Sequence, residues 1–248
     1  MTLFQTTLRS RNLEMSTGVN ILLPDNYEDM PKDGYPVLYL LHGMSDDRTT
    51  WLRNTRIEKY AEQRKIAVVM PEAQCSFYTD MEYGLKYYSY IAEELPEFIC
   101  KTFPVSRKRE DNFIAGLSMG GFGALKIGLR RFENFCGIAA LSAVITPDVN
   151  AKNDTGRYGH ILRGIVGTDC EAKPEDNVIS LVKAVPENLR PRLFMAVGNG
   201  DFLKGQSVEF DAFLNEIGYE HKFITDEGYH DWDFWEKHIQ TALKFFFD

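Results

Sequence analysis

Apolar runs of strand length recur along the chain: "PVLYLL" (36–41), "IAVVM" (66–70), "FIAGL" (113–117), "GIAAL" (137–141) and "RLFMAV" (192–197). Unbroken runs of this kind suit strands buried on both faces, as in a parallel sheet covered by helices. Between them the apolar period lengthens to that of a helix. Phe210, Phe213, Leu214 and Ile217 trace one helical face that stops at Gly218, and Trp235, Ile239, Leu243 and Phe246 repeat the pattern in a last segment starting at Trp232. Thr55 and Glu58 have the T-x-x-E spacing of a capping box at a helix start. The N-terminal stretches "LFQTTLRS" and "LEMSTGVNILLP" alternate polar and apolar residues, as antiparallel strands with one solvated face do. The pattern predicts an α/β fold, with a mostly parallel central sheet, antiparallel N-terminal strands and helices on both faces. No repeat or linker divides the 248 residues, which fit one domain.

The rhythm fails from Thr146 to about Val185, where the chain is polar and rich in Gly, Asp, Asn and Lys, with no convincing buried strand. Two readings fit such a segment: a loose surface excursion, or a small cap over a site.

Composition removes several function classes. The formal net charge is −8, and the 28 basic residues are scattered apart from the short run Arg107, Lys108, Arg109, so no nucleic-acid surface is expected. Four cysteines, far apart and without a C-x-x-C pair, read as reduced thiols and not as zinc ligands or disulfides. The first residues contain no apolar signal core, and no run approaches the ~18 apolar residues of a membrane span, so the expectation is a soluble, cytoplasmic protein with no membrane partner. The oligomeric state is left open, a homo-oligomer included.

The candidate chemistry centres on "FIAGLSMGGFGALKIGL" (113–129). Gly116-Leu117-Ser118-Met119-Gly120 matches G-x-S-x-G directly after a predicted buried strand and at the start of a predicted helix, where the pattern describes a nucleophile elbow. A dinucleotide fingerprint would need glycine at 118, and no G-K-[ST] follows for a phosphate loop. The remaining alternative is a serine that merely caps a helix.

A nucleophilic serine needs a base, and that base needs an acid to fix its tautomer. Of the histidines after Ser118, His221 lies in a predicted strand, His238 mid-helix and His160 in the irregular segment. His230 falls between the last strand and the last helix, at the carboxyl edge of the sheet where open α/β folds bind ligands, and is the predicted base. Asp201, after "RLFMAVGNG", occupies the equivalent place behind the preceding strand and is preferred as the acid over Asp169, Asp176, Asp211, Asp226 and Glu227. The oxyanion donors are assigned to the backbone N–H groups of Met119 and of Met44 in "HGMSDD". His42 in that loop is read as structural, and Asp46, Asp47 and Arg48 as a solvated loop tip. Trp51 and Tyr78 are candidates for lining the acyl or alcohol pocket, with a place in the core as the alternative. These groups supply nucleophile, base and electrophilic stabilisation, so neither a cofactor nor a metal is implied, and the expected partner is a small-molecule ester.

With those residues placed, "YLLHGMSDDRTTWLRNT", "YTDMEYGLKYYSYIAEELPEFI", "IAGLSMGGFGALK" and "HDWDFW" resemble the esterase D-like branch of the α/β-hydrolases, most of all the bacterial tributyrin esterases. The resemblance implies an α/β-hydrolase fold with Ser118, Asp201 and His230 as a catalytic triad. It also implies a serine carboxylesterase acting on short-chain acyl esters through an acyl-enzyme. The same family includes S-formylglutathione hydrolases and feruloyl esterases, and relatives that pass the acyl group to an alcohol. The "HGM" segment and the short N-terminal region favour a general carboxylesterase over the thioester substrate.

Overall fold

Each apolar run forms a strand whose alternate side chains enter two different cores. The computed structural model describes residues 1–25, 30–146, 154–170 and 173–248. In chain order the elements begin with β1 (Thr2–Arg9), β2 (Ser16–Leu23), β3 (Val37–Leu41), α1 (Thr50–Asn54), α2 (Ile57–Arg64) and β4 (Ala67–Pro71). There follow α3 (Tyr87–Ser89), a π-helical turn over Tyr90–Glu94, α4 (Leu95–Thr102), β5 (Asn112–Leu117), α5 (Met119–Arg130) and β6 (Gly137–Leu141). The rest comprises α6 (Arg157–Val166), α7 (Val178–Ala184), β7 (Arg192–Gly198), α8 (Lys204–Glu216), β8 (His221–Asp226) and α9 (Trp232–Phe247).

The strands form one sheet in the order β1-β2-β4-β3-β5-β6-β7-β8. β1 pairs antiparallel with β2 and β2 with β4, and every later pairing is parallel, as the shift from alternating to unbroken apolar runs predicts. Val37, Tyr39 and Leu41 of β3 join a core with Phe122 and Leu125 of α5, Ile99 of α4 and Phe210 of α8. Leu38 and Leu40 point the other way, into a core with Trp51, Ile57 and the α9 residues Trp235, Ile239, Leu243 and Phe246. The alternation of a strand and the stripe of a helix thus account for two apolar layers, one on each face.

Two local expectations change. Thr55 does not cap α2 through Glu58: it closes α1, its hydroxyl donates to the Trp51 carbonyl and accepts from the N–H of Ile57, and the α2 cap position is Arg56. A threonine two residues before a helix can serve the helix behind it as readily as the one ahead. The irregular segment contains helices α6 and α7 and, among its described residues, no strand; residues 147–153 and 171–172 of it lie outside the described residues.

That segment is fastened near the site. Arg157 at the start of α6 donates to the Ser45 hydroxyl at 3.2 Å. Asp176 meets the fully buried Lys126 of α5 at 3.1 Å, and the same ammonium donates to the Thr79 hydroxyl at 2.6 Å. Burial pushes the Lys126 ammonium down to about 8, and attraction to Asp176 only partly offsets this. The four cysteines are free thiols. No helix among the described residues is long and apolar enough to cross a membrane.

Candidate active site

The sheet order reverses around β3: the chain steps to β4 on one side and returns to β5 on the other. Such a reversal opens a crevice at the carboxyl ends of the strands, and Ser118 stands there, between β5 and α5. Its backbone has φ +53° and ψ −118°, a conformation that costs a non-glycine residue ~1–3 kcal/mol. The turn is held because Ser118 N–H donates to the Leu141 carbonyl at 2.9 Å while the Ser118 carbonyl accepts from Phe122 N–H at 3.1 Å. Gly116 and Gly120 make the turn sterically feasible. A Cβ on Gly116 would sit on the Gly120 carbonyl, and one on Gly120 would lie 2.5 Å from the carbonyl oxygens of Leu41 and His42.

Two further loops at the same edge complete a hydrogen-bonded relay. His230 follows β8, and its Nε2 lies 3.0 Å from Ser118 Oγ. Its Nδ1 lies 2.9 Å from Asp201 Oδ2 and 3.1 Å from Oδ1, Asp201 coming from the loop after β7. An ionised carboxylate only accepts, so the imidazole proton belongs on Nδ1, and Nε2 is left to accept from the serine hydroxyl. Burial pushes the Asp201 carboxyl up, but hydrogen bonds from His230, the Ser142 hydroxyl and Leu203 N–H outweigh it and hold the group below its ordinary range. Ser142 in turn accepts from Trp235 Nε1 at 3.1 Å. The His230 ring is flanked by Trp235, edge-on at 5.0 Å, and by Phe202, tilted at 4.5 Å.

The loop after β3 approaches Ser118 from the other side. His42 is fully buried. Its Nε2 lies 3.0 Å from Ala73 N–H, which can only donate, so Nε2 accepts and the ring proton sits on Nδ1, donating to the Gly43 carbonyl at 2.8 Å. His42 therefore shapes the loop that carries Met44. Met119 is the first residue of α5, where no intrahelical acceptor exists for its N–H. A serine hydroxyl paired with a neutral imidazole, near free N–H groups at a helix start, is an arrangement that can attack a carbonyl and stabilise the resulting oxyanion.

Around Ser118 and His230 lies a cleft of about 360 Å³ walled by Gly43, Met44, Asp46, Leu117, Asp231, Trp232 and Trp235. Trp51 and Tyr78, the expected pocket residues, do not line it. Both are buried: Trp51 Nε1 donates to the Leu41 carbonyl at 3.0 Å and the Tyr78 hydroxyl to the His42 carbonyl at 2.9 Å, so they brace the loop from behind. Asp46, expected in a solvated loop tip, is half-buried in the cleft wall, while Asp47 is engaged with Thr49 N–H at 2.7 Å. The aromatic lining comes instead from Trp232 and Trp235, and their signal was present in "HDWDFW": indoles three residues apart on the first turn of the helix behind the histidine. The other histidines after Ser118 lie elsewhere. His160 is exposed on α6, His221 pairs with Asp211 at 2.7 Å, and His238 is buried 3.4 Å from Asp226.

The sheet order, the strained serine after β5 and the histidine after the last strand define an α/β-hydrolase fold. The family model named Esterase matches residues 10–246, and the chain belongs to that family. An acetyl esterase of Caldicellulosiruptor saccharolyticus is 32% identical, over 98% of this chain and 97% of its own length. The structure of FphF, a fluorophosphonate-binding serine hydrolase of Staphylococcus aureus in a substrate-bound form, is 32% identical with a TM-score of 0.90, covering 100% of this chain and 98% of its own. The apoenzyme of the S-formylglutathione hydrolase FrmB, also of Staphylococcus aureus, is 33% identical with a TM-score of 0.88 and coverages of 100% and 99%.

Proposed function

We propose that this chain is a serine carboxylesterase that hydrolyses short-chain acyl esters through an acyl-enzyme. One observation carries the reading: the unbroken relay from Ser118 Oγ through His230 to Asp201, with heavy-atom distances of 3.0 and 2.9 Å. In the proposed cycle Ser118 Oγ attacks the ester carbonyl while His230 Nε2 takes its proton, and the buried Asp201 carboxylate stabilises the imidazolium that forms. The N–H groups of Met119 and Met44 donate to the oxyanion. Collapse of the tetrahedral species breaks the bond to the alcohol oxygen, which leaves with the proton from His230. Water, deprotonated by the same nitrogen, then attacks the acyl-serine and releases the acid.

The short-chain preference is supported by the modest cleft and by the kinship with an acetyl esterase. Each methylene that finds a fitting pocket improves transition-state binding by up to ~1–3 kcal/mol, so the chain length at which kcat/KM turns over measures the depth of the acyl site. Labelling with a fluorophosphonate probe, followed by an acetyl-to-octanoyl series of aryl esters, tests both parts. The expected result is an adduct on Ser118 and a maximum between acetyl and butyryl. An adduct on another serine refutes the nucleophile; continued improvement through octanoyl refutes the short-chain reading. A thioesterase reading is supported by the likeness to FrmB, and much faster turnover of S-formylglutathione than of any oxygen ester would replace the first reading with it, using the same three residues.

A further inference from the structure

The cleft at Ser118 has an unusual charge balance. Among its described lining residues two carry carboxylates, Asp46 and Asp231, two are indoles, Trp232 and Trp235, and none is lysine or arginine. Asp46 is close to the reacting centre: a Cβ built on Gly43 would lie 3.1 Å from Asp46 Oδ2 and 3.8 Å from Ser118 Cβ, so one glycine separates carboxylate and nucleophile. Burial pushes the Asp46 carboxyl up and repulsion from Asp47 adds to this, while a backbone hydrogen bond from Gly43 and weak attraction to Arg53 offset part of it. Two carboxylates in a cleft whose described lining holds no lysine or arginine stabilise a cation that enters it. Asp231 lines the same cleft as the cap of α9, with Oδ1 accepting from Phe234 N–H at 3.0 Å.

Orientation decides which part of the ester meets this wall. In the proposed cycle the carbonyl oxygen must face the N–H groups of Met119 and Met44, and the leaving oxygen must face His230 Nε2. The alcohol portion therefore runs past His230, where Asp231, Trp232 and Trp235 follow in sequence. Indole rings attract cations through their π faces, and more strongly when a carboxylate is beside them.

We propose that Asp46, with Asp231 and the two indoles, makes this cleft selective for esters whose alcohol portion is cationic, an ammonium or quaternary ammonium group. The inference rests on Ser118 being the nucleophile. One unit charge acting over several ångströms in a half-open site supports a preference on the order of tenfold in kcat/KM over an uncharged isostere. By the same field, anionic leaving groups such as glutathione are disfavoured.

The test compares acetylcholine, its uncharged isostere 3,3-dimethylbutyl acetate and glyceryl monoacetate on the wild-type chain and on Asp46→Asn, at low and high salt. The expected result is a cationic-to-neutral ratio of kcat/KM near ~10 in the wild type at low salt, falling several-fold both with added salt and in Asp46→Asn. The ratio cancels any general loss in the variant, and the wild-type salt series stands without it. A ratio near one, or one indifferent to salt and to Asp46→Asn, overturns the inference while leaving the esterase reading intact. Glyceryl monoacetate outrunning both other esters would overturn it in favour of hydroxyl recognition. If no acetate is cleaved and a fluorophosphonate leaves Ser118 unlabelled, the esterase reading itself falls.

Discussion

Asp201→Asn perturbs the proposed relay by a single atom exchange. The Asp201 carboxylate accepts from three donors: His230 Nδ1, Leu203 N–H at 2.8 Å and the Ser142 hydroxyl. An asparagine has one acceptor oxygen and one donor nitrogen. Leu203 N–H bonds Oδ1 while His230 Nδ1 lies nearer Oδ2, so Leu203 holds the asparagine oxygen, the amide nitrogen turns towards His230, and since it can only donate, Nδ1 must become an acceptor. The imidazole proton then moves to Nε2, which lies 3.0 Å from Ser118 Oγ, and the serine faces a donor where it needs a base. Packing and volume barely change, so the fold is retained and the loss falls on the chemical step. A wrong tautomer of this kind lowers turnover on the order of 10^4, or ~5.5 kcal/mol of transition-state stabilisation. The assay is saturating hydrolysis of an aryl acetate, with the thermal midpoint measured alongside. Ser142→Ala serves as the internal control: it removes one donor from the Asp201 carboxylate, leaves the His230–Asp201 pair in place and costs far less. A loss below tenfold in Asp201→Asn, with the protein folded, would refute the tautomer argument.

Ser118→Ala and His230→Ala are each expected to lower kcat by ~10^6, and the double variant to add little beyond either; a multiplicative loss in that kinetic comparison would show that the two do not act as a unit. Gly116→Ala drives a methyl group into the Gly120 backbone, and denaturant titration should show a loss of about 1–3 kcal/mol together with reduced fluorophosphonate labelling. Lys126 supplies a pH test. In the unfolded chain it keeps its proton to the ordinary lysine value of 10.5, whereas in the folded protein it releases it near 8. Between those values the unfolded state binds the extra proton, so stability rises with pH, by a total of at most about 3 kcal/mol. Cys136, pushed up by burial to about 11, and Cys100, also raised by burial, act in the opposite direction once unfolded thiols ionise near 9, and Tyr87 and Tyr88, pushed up to about 12, do so above about 10. The wild-type stability minus that of Lys126→Met, measured by chemical denaturation between roughly pH 8 and 9.5, should therefore rise with pH; a difference that stays flat across this window would refute the assignment.

The strands were legible because their residues need no partner identified in advance. An unbroken apolar run such as 137–141 must be buried on both faces whichever neighbours it finds, and β6 occupies those five residues. The glycines around Ser118 were equally local, since the clashes they avoid lie within one turn of chain or against the adjacent β3 strand. Chain order and the carboxyl-edge rule then sufficed to choose Asp201 and His230, although the residues that meet are 29 and 112 positions apart.

Facing direction was not legible. Trp51 and Tyr78 are apolar and close in sequence to the site, and the sequence said only that such residues are buried or nearly so; packing turned both behind the His42 loop, where their polar tips find backbone carbonyls. Asp46 failed in the opposite sense. A charged triplet in a loop has the composition of a solvent-exposed tip, and only the approach of that loop to Ser118 across Gly43 brought one carboxylate into the cleft. Thr55 illustrates the same limit on a smaller scale, because a hydroxyl between two helices bonds to whichever backbone group the turn brings near. Burial and turn geometry are properties of a few consecutive residues, and the sequence determined them. The side from which distant segments approach depends on how the two cores pack, and that was decided by the tertiary structure alone.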